Sequence, residues 1–143
     1  MDVITGSGAL FYSLETARFL LLHRTKTGNK CWGLAGGKME DKETPWEGLR
    51  REINEELGLE PNIIKTIPLE TFISNDEHFQ YHTYLCVVRE EFIPNLNEEH
   101  DGYAWASVEN LPRPLHNGLS KTLKNRTSKG KLDTVLKLID ELL

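Results

Sequence analysis

The sequence predicts an α+β or mixed α/β fold, because strand-like segments precede, separate and follow one strongly marked helix. The chain has 143 residues, the size of one ordinary domain. No internal repeat divides it, and no linker rich in Pro, Gly or Ser interrupts it. We therefore expect residues 1–143 to form a single domain.

Four segments have strand character. Val3–Tyr12 is largely apolar, and Arg18–Arg24 contains a short apolar run typical of a buried strand. Residues 25–29 are predicted to form a loop. Apolar and polar residues alternate over residues 78–87, and Tyr103–Trp105 is a further short candidate.

The central helix has clear start and stop signals. Thr44 is the expected N-cap, Pro45 occupies the first helical position, and Glu47 completes a capping box. Gly58 follows the last apolar residue, where a left-handed cap favours glycine. The core-facing residues recur at intervals of three and four: Trp46, Leu49, Ile53 and Leu57.

A second amphipathic helix is predicted at the end of the chain, over Lys131–Leu143. Its expected apolar face consists of Leu132, Val135, Leu136, Ile139, Leu142 and Leu143.

Composition and charge exclude several classes of protein. Hydrophobic residues make up 38% and charged residues 27%, which fits neither a disordered chain nor a membrane protein. The net charge of −5 argues against general nucleic-acid binding. Cys31 and Cys86 lack a C-x-x-C spacing and are expected to be reduced thiols. With no signal-peptide pattern at the N-terminus, we expect a cytoplasmic protein, and a homodimer is left open.

Three carboxylates share one face of the central helix. Glu52, Glu55 and Glu56 stand at i, i+3 and i+4, so their Cβ atoms lie within ~6 Å of one another. One interpretation is a solvated acidic face paired with Arg50 and Arg51. The other is a divalent-cation site, because hard carboxylate oxygens suit magnesium or manganese.

The wider pattern decides between these interpretations. Gly37, five residues, Glu43, seven residues, Arg51-Glu52-Ile53, one residue, Glu55-Glu56, one residue and Gly58-Leu59 resembles the Nudix box at all nine specified positions. The resemblance implies an α/β/α sandwich around a mixed β-sheet. It also implies hydrolysis of a nucleoside diphosphate linked to another moiety. Ala35 stands where many relatives have proline, which leaves the local loop geometry open.

The resemblance also implies residue roles. Metal binding, to Mg²⁺ or alternatively Mn²⁺, falls to the Gly37 carbonyl and the helix carboxylates, Glu52, Glu55 and Glu56. Glu43 and Arg51 match a pair that braces the metal-binding glutamates. Lys38, just after the glycines, either contacts a substrate phosphate or is solvated.

A second, shorter resemblance lies at Glu99–Trp105, which fits an E-H-x-x-Y-x-W pattern of some Nudix subfamilies. It implies that Glu99 lies on a loop over the metal site, as a metal ligand and candidate general base. The base stays open among Glu55, Glu56 and Glu99, because the family does not fix it to one box position. The alternative is that Glu98 and Glu99 are loop acids beside core aromatic residues.

The substrate is set outside the box. By elimination of subfamily signatures, we expect a nucleoside triphosphate or modified nucleotide, with dinucleoside polyphosphates and nucleotide sugars as alternatives. A non-hydrolytic nucleotide-binding regulatory module is the competing class. The basic segment 113–131 is either a solvated face or a patch that attracts polyphosphate. His116 within it is interpreted as a surface-loop residue, with a substrate contact as the alternative.

Overall fold

The computed structural model describes residues 3–25 and 30–143, so most of the loop expected at 25–29 lies outside the described residues. The strands are β1 (Ile4–Ser13), β2 (Arg18–Arg24), β3 (Trp32–Gly33), β4 (Ala35–Lys38), β5 (Ile63–Ile73), β6 (Phe79–Val88) and β7 (His100–Ala106). The α-helices are α1 (Pro45–Leu57), α2 (Asn117–Lys124) and α3 (Arg126–Leu142). The predicted mixed α/β class is confirmed.

Strand β1 is central in the mixed sheet. Along one edge it runs parallel to β6 from Ile4 to Ser13. Along the other edge it pairs antiparallel with β4 near its start and with β2 near its end. Strand β5 lies outside β6, whereas β3 and β7 both pair with β2. Because β1 pairs with β4 over its first half and with β2 only at its end, β4 forms a separate branch of the sheet along this edge. Ala35, whose loop geometry the sequence left open, is the first residue of the short strand β4.

Helices cover both faces of the sheet. One apolar cluster includes Phe11 of β1 with Leu49, Ile53 and Leu57 of α1. The other includes Leu10 of β1 with three residues from the later helices, Leu119, Leu132 and Ile139. Alternate residues of β1 thus pack against different helices, which gives the expected α/β/α sandwich.

Helix α1 has the caps that the sequence predicts. The Thr44 hydroxyl accepts the Glu47 N–H at 3.1 Å, and the Glu47 carboxylate accepts the Thr44 N–H at 2.9 Å. At the other end, Gly58 is left-handed with φ +64° and donates its N–H to the Asn54 carbonyl. With both ends fixed and one face buried, the rotation of α1 about its axis is fixed too.

The C-terminal region differs from the expectation. Helix α3 begins at Arg126 rather than Lys131, because the Asn125 side chain caps the N–H groups of Thr127 and Ser128. Leu142 and Leu143 are 78% and 56% exposed, so the prediction that they join the apolar face is wrong. The last buried residue of α3 is Ile139, and the final turn beyond it has no core to pack against.

Two other expectations concern the cysteines and the helices. Cys31 and Cys86 are both buried and free of a disulfide, as predicted. Among the described residues, no helix combines the length and the apolar character needed to cross a bilayer.

Candidate metal and substrate site

The helix carboxylates of α1 differ in their surroundings. Glu56 is only 2% exposed, and its carboxylate accepts the Gly36 N–H of β4 at 2.9 Å. Glu52 lies against Gly37, where an added Cβ would stand 2.8 Å from the Glu52 carboxyl carbon. Only glycine therefore lets the β4 backbone approach this carboxylate. The Glu55 side chain is 56% exposed.

Glu99 and His100 join this group from the other end of the chain. Strand β7 starts at His100 beside Arg24 of β2, and Thr25 donates its backbone N–H to the Glu99 carbonyl at 3.1 Å. Potential ligand atoms of Glu56, Glu99 and His100 all lie within 4.8 Å of one another. We call Glu52, Glu55, Glu56, Glu99 and His100 the carboxylate cluster.

His100 was not predicted to be a site residue. It is buried, and its Nδ1 atom has no hydrogen-bond partner among residues 3–25 and 30–143. An unpaired buried nitrogen is costly unless something outside the protein completes it. Its position directly after Glu99 was the sequence signal that could have identified it.

Protonation in the cluster is strongly perturbed. Burial raises the pKa of Glu56 to about 8; the Gly36 N–H opposes this shift, and the charges of Glu52 and Glu99 add to it. Burial also raises the pKa of Glu52, against the effect of Arg51. For His100, burial and the charge of Arg24 lower the pKa, which favours a neutral imidazole. Crowded carboxylates beside a neutral imidazole fit a divalent cation, which would relieve the repulsion.

Arg51 ties the cluster to its surroundings. Its guanidinium donates to Glu43 at 2.9 Å, to Glu52 at 3.0 Å and to the Lys38 carbonyl at 3.2 Å. The hydrogen bond to Glu43 is the main cause that raises the Arg51 pKa, and the same bond lowers the pKa of Glu43. The contact with Glu55, at 3.5 Å, is longer.

A cavity of about 620 Å³ opens beside the cluster. Gly37 and Lys38 line it, so the cavity and the cluster share the β4 wall. The charged side chains of its lining are those of Arg24, Lys38, Lys121 and Glu70. Its wall therefore carries an excess of positive charge, although the whole chain has a net charge of −5.

Tyr81 of β6 lies across two glycines of β1. An added Cβ would stand 2.2 Å from the Tyr81 hydroxyl oxygen at Gly8, and 3.0 Å from the ring at Gly6. The ring occupies the space that side chains would fill at these positions. Burial is the main cause that raises the pKa of Tyr81 to about 12, so its hydroxyl stays protonated.

Aromatic side chains continue from Tyr81 toward the solvent. The rings of Phe79 and Tyr81 are stacked at 26° with centroids 6.3 Å apart, and Phe72 stands 6.3 Å from Phe79. Phe72 and Phe79 line the cavity and remain 50% and 38% exposed. We call Phe72, Phe79 and Tyr81 the aromatic wall.

Sequence reasoning missed most of the cavity lining. Arg24 was assigned only to the end of a strand, yet it is half-buried. Its charge opposes the effect of burial, which raises the pKa of Tyr81, and adds to the effect of burial, which lowers the pKa of His116. His116, left open between a surface-loop residue and a substrate contact, lies in the loop before α2. It is half-buried, lines the cavity and accepts the Gly118 N–H at 3.2 Å, which caps α2. The basic segment contributes Lys121 to the lining.

The architecture and the complete box define a class of enzyme, and comparison with known proteins gives the same result. The NUDIX domain family matches residues 5–125. The chain therefore belongs to the NUDIX family and is a Nudix hydrolase.

The proteins similar to this chain include two named enzymes and one solved structure. Dihydroneopterin triphosphate diphosphatase of Haemophilus influenzae is 30% identical over 115 residues, which cover 70% of this chain and 72% of that protein. Nucleoside triphosphatase NudI of Klebsiella pneumoniae is 35% identical over 91 residues, but these cover 56% of this chain and only 64% of the triphosphatase. The crystal structure of MutT NUDIX hydrolase from Burkholderia pseudomallei superposes with a TM-score of 0.71 and 27% identity, covering 87% of this chain and 98% of that one.

Proposed function

We propose that this Nudix hydrolase is a Mg²⁺-dependent pyrophosphohydrolase that cleaves the diphosphate linkage of a nucleoside triphosphate or a modified nucleotide. The observation that carries the proposal is that the carboxylate cluster adjoins a cavity lined mainly by positively charged side chains, with strand β4 as the wall between them. A polyphosphate in the cavity would reach the cluster at Gly37 and Lys38, with Arg24 and Lys121 available along its length.

The metal would be held by the Gly37 carbonyl and by Glu52, Glu55, Glu56 and Glu99, with the His100 nitrogen as a further donor. The unpaired Nδ1 atom and the crowding of Glu56, Glu99 and His100 within 4.8 Å support this assignment. A bound Mg²⁺ supplies neutralisation of phosphate charge and a lowered pKa for a coordinated water.

Residues of the chain itself would supply the general base and hold the metal ligands in place. Glu56 and Glu99 are candidates to take a proton from the attacking water, because both lie within the group of potential ligand atoms that surrounds the proposed metal. Burial raises the pKa of Glu56 to about 8 without a metal, and a bound Mg²⁺ would favour its ionised form. Glu55, exposed at the edge of the cluster, is a third candidate. Arg51 and Glu43 hold Glu52 and the β4 backbone in place.

The cavity side chains position the substrate. Arg24 lies where its charge acts on both Tyr81 and His100, which suits a contact with phosphates passing from cavity to cluster. The aromatic wall offers ring faces on which a heterocyclic base can stack. The names of two relatives, a dihydroneopterin triphosphate diphosphatase and a nucleoside triphosphatase, both specify a triphosphate and support this substrate class.

The test is product analysis with a panel of substrates. The purified protein is incubated with MgCl₂ and nucleoside triphosphates, dihydroneopterin triphosphate, dinucleoside polyphosphates or nucleotide sugars, and the products are separated by ion-exchange chromatography. We expect a triphosphate to yield a monophosphate and pyrophosphate, and chelation to stop the reaction. Release of inorganic phosphate and a diphosphate would contradict the proposal. Nucleotide binding without any hydrolysis would instead indicate a regulatory module.

A further inference from the structure

Glu70 on β5 is held in a fixed orientation at the cavity wall. The Thr122 hydroxyl of α2 lies 2.8 Å from Glu70 Oε1 and 3.0 Å from the Gly118 carbonyl oxygen, and it donates its one proton to Glu70 because a carboxylate is the stronger acceptor. The Ser128 hydroxyl of α3 donates to Glu70 Oε2. Both hydroxyl-bearing residues are only 8% exposed. Two buried donors from two helices therefore orient one carboxylate that lines the cavity.

The carboxylate still has unused capacity to accept hydrogen bonds. Within residues 3–25 and 30–143, no ion pair joins Glu70 to a Lys, Arg or His side chain. An ionised carboxylate offers about four lone-pair sites, and the two hydroxyls occupy only two of them. One site on each oxygen remains for a donor in the cavity.

Glu70 is also next to the aromatic wall. Phe72 pairs with Tyr81 across β5 and β6, and Glu70 pairs with Thr83, the next same-face position on β6. Thr83 and Glu70 both line the cavity beside Tyr81. A ring stacked on the aromatic wall would therefore present an edge to the Glu70 carboxylate.

We propose that Glu70 determines base specificity by accepting two hydrogen bonds from a ring N–H and the adjacent amino group, the edge that guanine and pterins share. Adenine and cytosine place a ring acceptor beside their amino group, which the carboxylate would repel, and hypoxanthine lacks the amino group. This inference rests on the proposed function, because it names the substrate class of the same site.

The experiment compares GTP with ITP, whose bases differ only by the 2-amino group. For the wild-type protein we expect kcat/KM to be at least ~10-fold higher for GTP, as for a hydrogen bond to a charged group. Glu70→Gln, which leaves one acceptor and introduces a donor, should bring the ratio close to one. Glu77→Gln makes the same substitution in the exposed turn between β5 and β6, outside the cavity lining, and should leave the ratio unchanged.

Glu70 also ties β5 to α2 and α3, and this structural role makes a different prediction. If it were the whole role, Glu70→Gln would lower the melting temperature and reduce activity on GTP and ITP equally, which would overturn the proposal. If the variant does not fold, a wild-type ratio near one would overturn it as well. In a separate experiment, kcat/KM is measured for dihydroneopterin triphosphate and compared with kcat/KM for GTP. The substrate with the higher value identifies whether the preferred ring is a pterin or a guanine.

Binding separates this inference from the proposed function. Calorimetry with GMP and IMP should show the same preference of at least ~10-fold for GMP, and Glu70→Gln should remove it. Tight, selective GMP binding without triphosphate hydrolysis would refute the proposed function and support the role of Glu70. Hydrolysis without discrimination between GTP and ITP would support the proposed function and refute the role of Glu70.

Discussion

The carboxylate cluster draws three of its five side chains from α1, whereas the cavity takes its lining from segments spread over residues 4–125. In the cluster, the spacing of Glu52, Glu55 and Glu56 follows from the helix period alone. In the cavity, Arg24, Glu70 and Lys121 come together only because β2, β5 and α2 do. The two regions also carry opposite charge, acidic in one and basic in the other.

We therefore expect the cluster to carry out the chemical step and the cavity to select the substrate. Changes in the cluster should act on turnover, because in the proposed function these groups would lie nearest the reacting phosphate. Changes in the cavity should act on KM and on discrimination among substrates.

The largest effect is expected for Glu56→Gln. The isosteric amide keeps the buried contact with Gly36 but loses the charge at the proposed metal site, so kcat should fall at least ~100-fold. Glu141→Gln, exposed on α3 and far along the chain from the box, is the matched control and should retain full activity. Steady-state kinetics with Mg²⁺ measures both. A Glu56→Gln variant that keeps more than about a third of the activity would contradict the metal assignment.

The next largest effect tests whether Glu99 belongs with the helix carboxylates. Glu99→Gln should lower kcat by ~100-fold with a smaller change in KM, as expected for a group near the attacking water. Glu98→Gln should be nearly silent, because Glu98 engages Thr25 through its backbone carbonyl and is absent from the cluster. A crippled Glu98 variant beside an active Glu99 variant would place the functional acid one residue earlier.

On the cavity side, Gly8→Ala should raise KM by ~10-fold with little change in kcat. The new Cβ would stand 2.2 Å from the Tyr81 hydroxyl, so the ring has to move out of the aromatic wall, at a stability cost of ~1–3 kcal/mol. The double variant Gly8→Ala/Tyr81→Phe removes the colliding oxygen and should recover part of the affinity and of the melting temperature. If kcat falls instead of KM rising, the separation between cluster and cavity is incomplete.

The smallest effect is on stability and requires a chelator. Because the pKa of Glu56 is about 8 in the folded protein and 4.5 in a model peptide, folding favours its protonated form. Its stabilising contribution is complete below pH 4.5 and is lost as the pH rises through 8. The melting temperature in EDTA should therefore fall by several degrees more for the wild type than for Glu56→Gln between pH 6 and 9.

Groups other than Glu56 also titrate in this range. Burial lowers the pKa of His100, so this group contributes with the opposite sign, and it is present in both proteins. Parallel melting curves for the wild type and Glu56→Gln would show that Glu56 ionises normally.

The sequence by itself determined α1 and the residues on its acidic face. The capping box, the left-handed Gly58 and the apolar period are local signals, and each acts over a few residues. The structure places Glu52, Glu56 and the Gly36–Gly37 backbone together because the buried face of α1 leaves no other rotation. Glu99 was expected near the box from a second motif, and the structure brings it to Glu56.

Only the tertiary structure decided the cavity. Strand β5 was not predicted because it contains Pro68, beside which its register with β6 shifts, and it lacks a clean alternation of apolar residues. Arg24, Glu70 and Tyr81 are unremarkable in sequence, since nothing within a few residues of each indicates its neighbours. Strand register brings Tyr81 over Gly6 and Gly8, and helix packing brings Thr122 and Ser128 to Glu70. Such contacts join residues far apart in the chain, which is why local patterns predicted the carboxylates but not the cavity beside them.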